Sequence, residues 1–115
     1  WNWKAGGTAS SNTDGSITST VSANQTAGFS ILTRNGTGSN GTVGHGLGVA
    51  PKMIINKDRN SGSSWWGVFH ESLGNTNAIY LNTTNATDAS VQYWNNTSPT
   101  SSVFSVGTNS ISNAT

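Results

Sequence analysis

The side chains that could do chemistry are few and scattered along the 115 residues. His70-Glu71 together with Asp58 is the best candidate for a metal or acid–base cluster. Adjacent residues of a strand point to opposite faces of a sheet, so the side chains of His70 and Glu71 should not converge. The chain has no cysteine, which excludes disulfides, thiolate zinc sites and a cysteine nucleophile. We therefore predict no catalytic residues, no metal site and no cofactor, and a protein that is not an enzyme.

His45 lies in a glycine-rich stretch, residues 44–48. It is a candidate ligand contact, because glycines let a backbone approach a bound molecule closely. The alternative is a hairpin or bulge in which His45 packs or hydrogen-bonds locally, and we favour it. The stretch is not a nucleotide loop, since it lacks the Lys-Ser/Thr pair and the helix that follow in a P-loop.

Two aromatic pairs, Trp65-Trp66 and Tyr93-Trp94, are the best candidates for contacts with a ligand or a partner. If each pair lies on a strand, one ring faces the core and the other faces solvent. An outward ring can stack on a sugar or anchor a protein partner. We favour packing or assembly over glycan contact for both pairs.

The composition indicates that β-strands position these side chains. Ser, Thr, Asn and Gly make up more than half of the chain, only 8% of residues are charged, and five are Trp. Disordered chains are poor in aromatics, whereas Thr-rich strands joined by Gly and Asn turns are typical of extracellular β-structure. Helical periodicity is absent. Short apolar runs bounded by turn residues, several of them with alternating apolar and polar side chains, predict strands over residues 17–21, 28–34, 42–48, 51–58, 64–71, 78–82, 89–94 and 102–106.

These strands predict an all-β fold, an antiparallel β-sandwich of the jelly-roll type. Apolar residues within the strands should form its core, and we expect most of it from Ile31, Met53, Ile54, Ile55, Val68, Phe69, Ile79, Leu81, Val103 and Phe104. The net charge is only +1 and no basic stripe is present, so we predict no nucleic-acid partner. No apolar run is long enough for a membrane helix, so we also predict no membrane insertion.

Longer strings of sequence carry a family resemblance. They are residues 1–17 (WNWKAGGTASSNTDGSI), 43–55 (VGHGLGVAPKMII), 80–84 and 99–107. Together they resemble a repeat of large virion structural and tail-fibre-like proteins of marine and other environmental bacteriophages. The resemblance implies that residues 1–16 are the end of a preceding repeat plus a Gly/Ser/Thr linker, and that residues 17–115 are the sandwich module.

The resemblance also implies that the repeat lacks its closing aromatic strand. A sandwich without one strand leaves unpaired backbone groups and an open apolar groove, which a strand from another copy could fill. Trp1, Asn2 and Trp3 are the candidate inter-subunit strand.

We therefore expect a non-enzymatic structural module on the surface of a virion, in a fibre, a spike or a capsid decoration. Its expected partners are other virion proteins, further copies of itself in a homo-oligomer, and host-surface glycan. The alternatives are a glycan-binding adhesin module of a tail fibre, a hydrolase or depolymerase, and a subunit of a non-phage secreted filament. A hydrolase would need two facing carboxylates, for which only Asp58 and Glu71 are candidates.

Overall fold

The structure is a computed structural model that describes residues 2–115. Within these residues the chain forms short strands, one 3-10 turn at Glu71–Leu73 and one short helix, α1, at Ser110–Asn113. The strands are β1 Ser10–Asn12, β2 Ser19–Asn24, β3 Phe29–Arg34, β4 Gly41–Gly44, β5 Met53–Asn56, β6 Gly67–His70, β7 Asn77–Tyr80, β8 Asp88–Ala89 and β9 Val103–Val106.

The strands pair in three antiparallel sheets. The first has the order β1-β2-β3, the second pairs β4 with β9, and the third has the order β5-β6-β7-β8. A parallel bridge between Ile17 and Val43 connects the chain before β2 to β4. The all-β, sandwich-like fold predicted from the alternation is thereby confirmed.

One predicted strand is wrong. Residues 91–96 form consecutive turns where the alternation predicted a strand over 89–94, and only β8 remains extended there. Asn95 and Asn96 have φ angles of 51° and 44°, in the left-handed region that Asn tolerates and that ends an extended backbone.

The core consists of two clusters. The first contains Ile17, Val43, Phe104 and Val106, and the second contains Phe69, Ala78, Tyr93 and Trp94. Ile54 packs against both clusters, so β5 lies where they meet. Val68, Phe69 and Phe104 are buried as predicted.

Four residues predicted in the core are exposed instead: Ile31, Met53, Ile55 and Leu81. A continuous apolar run such as Met53-Ile54-Ile55 is typical of a strand covered on both faces. Here the third sheet has one face on the core, so Ile54 points inward and its neighbours Met53 and Ile55 point outward.

The C-terminal residues are joined to the rest of the fold through Asn113, which is 1% exposed. Its Oδ1 accepts from the Thr37 backbone N–H (3.0 Å) and from Arg34 Nη1 (3.1 Å). Its Nδ2 donates to the carbonyl oxygens of Ser39 (2.7 Å) and Gly107 (3.2 Å). We call this set the Asn113 hub. A Cβ on Gly36 would overlap the Ala114 carbonyl, so only glycine allows the loop and the tail to lie this close.

The N-terminal residues also contact the domain. β1 falls within residues 1–16, the predicted linker, and pairs with β2. Ser22 Oγ donates to the Gly7 carbonyl (2.7 Å), and Asn24 Nδ2 donates to that of Lys4 (3.1 Å). The division at residue 16 and the missing closing strand both stay predictions. No helix in residues 2–115 has the length and apolar content needed to cross a membrane.

Candidate functional sites

His45 follows β4 and is 3% exposed, with both ring nitrogens bonded within the chain. Nδ1 accepts from the Leu47 backbone N–H at 3.1 Å, and Nε2 lies 3.2 Å from the Thr100 carbonyl oxygen. A backbone N–H can only donate and a carbonyl can only accept, so the ring is neutral with its proton on Nε2. The structure therefore gives His45 a local structural role, with no ring nitrogen free for a ligand.

This arrangement makes the fold sensitive to acid. Burial lowers the pKa of His45, against a smaller opposing effect of the Thr100 carbonyl. In the unfolded chain, His45 binds a proton once the pH falls below its ordinary pKa of about 6.5. In the folded protein the lowered pKa keeps the ring neutral at the same pH, so the unfolded state binds more protons. We expect the free energy of unfolding to be constant above about pH 6.5 and to fall as the pH drops toward 5, measured by urea denaturation. His45→Asn should remove this slope, and a slope unchanged in that variant would contradict the assignment.

Tyr93 and Trp94 are both buried, at 3% and 2% exposure. In a strand, one of these two side chains would face the core and the other would face solvent. Here both residues lie in a turn, and both side chains enter the second core cluster. Trp94 Nε1 donates to the Asn77 carbonyl at 3.0 Å. Neither ring presents a face to a ligand in this structure.

The Tyr93 hydroxyl belongs to a small polar cluster with Tyr80 and Asp88. The two hydroxyl oxygens lie 2.8 Å apart, and both hydroxyls bond Asp88 Oδ2, that of Tyr80 at 3.0 Å. These bonds lower the pKa of the Asp88 carboxyl, those from Tyr93 and Tyr80 in that order. Burial and the Asp88 bond raise the pKa of Tyr93. The cluster ties the turn at 91–96 to β7 and β8.

Trp65 and Trp66 precede β6 and are 40% and 43% exposed. Both indole rings are therefore partly accessible to solvent. The expectation that one ring faces the core and the other faces solvent is not met. Trp65 packs on Tyr80, with ring centroids 4.8 Å apart and a tilt of 60°. Its accessible side remains a candidate for contact with a glycan or a partner.

Of the predicted inter-subunit strand, Trp1 lies outside the described residues. Asn2 is exposed and Trp3 is 69% exposed, and neither lies in a strand. Trp3 stacks on Phe29 with ring centroids 5.8 Å apart and an interplanar angle of 19°. Strand exchange through these residues stays a prediction.

The structure does not bring Asp58 and Glu71 together. Asp58 lies two residues after the end of β5 and accepts from the Asn60 backbone N–H (2.9 Å) and Ser64 Oγ (3.2 Å). Glu71 lies beside the first residues of β5, where it pairs with Lys52 at 2.8 Å. The two carboxylates are at opposite ends of the strand. In the described part of the chain, no three His, Cys, Asp or Glu side chains group as metal ligands.

One surface that sequence reasoning missed is the outer face of the third sheet. Met53 pairs with His70, and Ile55 with Val68, which in turn pairs with Ile79. The same register places Trp66 opposite Leu81, whose N–H donates to the Trp66 carbonyl at 3.1 Å. Paired residues share a face. We call this surface the apolar sheet face: Met53, Ile55, Trp66, Val68, Ile79 and Leu81. The period-two alternation of these residues was visible in the sequence, but not which face would be covered.

These features define a small all-β, sandwich-like domain with an apolar outer sheet face. The chain belongs to the family described as "Domain of unknown function (DUF7483)", whose model matches residues 1–115. No curated protein and no solved structure matches the chain.

Proposed function

We propose that this domain is a non-catalytic structural module of a bacteriophage particle that assembles with copies of itself through the apolar sheet face. The phage setting, on the surface of a virion, rests on the sequence strings at residues 1–17 and 43–55. The assembly role rests on one observation, the exposed apolar side chains on the face of the third sheet that points away from the core.

The exposure of these side chains is what needs an explanation. Met53, Ile55, Trp66 and Leu81 are 49%, 46%, 43% and 55% exposed. Val68 lies among them, is fully buried, and belongs to neither core cluster. The chain is rich in Ser and Thr, which are well suited to an exposed strand face, so the apolar residues on this face call for a reason. Exposed apolar patches of a few hundred Å² typically mark interaction sites.

A second copy of the chain is the partner that this face fits best. The exposed Lys52–Glu71 ion pair lies at the Met53–His70 end of this sheet. A twofold interface presents the same patch twice, so the apolar side chains of this face can cover those of the other copy. An apolar centre with a charged rim is the usual anatomy of a protein interface.

Association in solution tests this proposal. We expect sedimentation velocity to show concentration-dependent association of the wild-type chain. The Ile55→Glu variant should be a monomer at the same concentrations, because each copy would place a carboxylate in the apolar centre of the interface. The matched control is Ile31→Glu, which changes an isoleucine on the first sheet that is more exposed than Ile55 (57% against 46%) and should associate like the wild type.

A wild-type chain that stays monomeric at every accessible concentration would contradict the proposal. So would an equal loss of association in the Ile55→Glu and Ile31→Glu variants. Circular dichroism of both variants shows whether each is folded, which separates loss of association from loss of structure.

A further inference from the structure

A polar pocket opens on the outer face of the first sheet. Its volume is about 170 Å³. The residues that line it come from the chain before β2, from β2 and β3, and from the loop after β5, and all of them are polar: Thr18, Thr20, Thr33, Arg34, Asn35 and Arg59. No acidic side chain lines it.

The register of the first sheet places three threonines together. Thr20 pairs with Thr33 across β2 and β3, so their side chains share one face. Thr18 precedes Thr20 by two residues and follows the same alternation. All three are exposed. Within residues 2–115, none of their hydroxyls makes a hydrogen bond to another side chain or to the backbone, so each can donate to a bound group.

Arg59 gives the pocket positive charge, whereas Arg34 follows Thr33 on β3 and points its side chain to the other face of the sheet. Arg34 is half-buried, and its guanidinium donates to neutral acceptors only: the side-chain oxygens of Asn113 (3.1 Å) and Asn56 (3.2 Å) and the Ser112 carbonyl. Across residues 2–115 the one ion pair is Lys52–Glu71, so neither Arg34 nor Arg59 has a carboxylate partner there. An arginine without a carboxylate partner can donate charge-assisted hydrogen bonds to an anion.

We propose that this pocket binds an oxyanion, a sulfate, phosphate or carboxylate group, through Arg59 and the hydroxyls of Thr18, Thr20 and Thr33. Arginine and hydroxyl donors suit the oxygens of such a group, and charge-assisted hydrogen bonds are the stronger class. The group is either a free inorganic ion or a substituent of an acidic polysaccharide. The site is on a different sheet from the apolar sheet face and does not depend on the proposed assembly role.

The test is a titration of the ¹⁵N-labelled full chain with sodium sulfate, followed by amide NMR at constant ionic strength set with sodium chloride. We expect saturable shifts of the amides around Thr20, Thr33 and Arg59. Arg59→Gln should weaken sulfate binding about tenfold, the effect of losing one charged hydrogen-bond donor. The matched control is Lys4→Gln, which removes the same charge at the opposite end of β2 and should bind sulfate like the wild type.

Two further titrations distinguish the sources of the group. In one outcome, a sulfated dextran oligosaccharide or an oligogalacturonate binds more tightly than the free ion, and this gain is lost in Arg59→Gln. That result identifies the group as a substituent of a polysaccharide. Equal binding of the free ion and the oligosaccharides identifies an inorganic-anion site. Shifts that never saturate, or an equal weakening in Lys4→Gln and Arg59→Gln, would overturn the proposal.

Discussion

The Trp94→Ala variant is expected to lose about 3–5 kcal/mol of unfolding free energy. Trp94 is 2% exposed, and its ring meets that of Phe69 edge-on with centroids 5.8 Å apart. Alanine would leave a cavity in the second core cluster and would leave the Asn77 carbonyl, which now accepts from Trp94 Nε1 at 3.0 Å, without this donor. A loss of this size is comparable to the whole stability of many small domains.

Urea denaturation followed by circular dichroism measures this loss. The matched control is Trp3→Ala, because Trp3 is 69% exposed and contacts Phe29 by stacking alone. Its loss should stay below about 1.5 kcal/mol, the upper value for an aromatic pair. Similar losses in the two variants would show that Trp94 is not the centre of the cluster. The comparison also decides between folding and ligand contact as the role of Trp94.

The Asn113→Ala variant is expected to lose about 2–4 kcal/mol, because it leaves buried groups of the Asn113 hub without partners. The Thr37 N–H and the Ser39 and Gly107 carbonyls would each lose their bond to the side chain. Arg34 would lose one of its neutral acceptors as well. We expect the melting temperature to fall by roughly 10 °C.

Differential scanning calorimetry measures the melting temperature, and Asn85→Ala is the matched control. Asn85 is exposed, and its side chain makes no hydrogen bond within residues 2–115. Its replacement should change the melting temperature by no more than a few degrees. An Asn113→Ala variant as stable as Asn85→Ala would mean that the tail is not held by this side chain.

Local patterns were enough to predict where most of the strands lie, though not β1 and not the turn at 91–96. The expected strands at 28–34 and 102–106 match Phe29–Arg34 and Val103–Val106 to within one residue. Alternation is a local property, and it survives folding whenever one face of a strand meets the core. Alternation does not show which face of a strand the fold will cover. For this reason the prediction that Met53 and Ile55 lie in the core is wrong.

The candidate sites depended on distant pairings and were harder to predict. Arg34 and Asn113 are 79 residues apart in sequence, and no short motif signals their contact. The threonines of the polar pocket meet only because Thr20 pairs with Thr33, a register that sequence alone leaves open. His45 is the opposite case, because its bond to the Leu47 N–H is local. The glycine-rich stretch around His45 predicts such a local role for it.

The pairing of β4 with β9 has a consequence for synthesis of the chain. Val43 meets Phe104 in this pair, and both belong to the first core cluster. During translation, β4 leaves the ribosome long before β9, and until then the first core cluster lacks Phe104 and Val106. The first core cluster is therefore completed only after β9 has been made, and until then the edge of β4 that pairs with β9 is open to strands of neighbouring nascent chains.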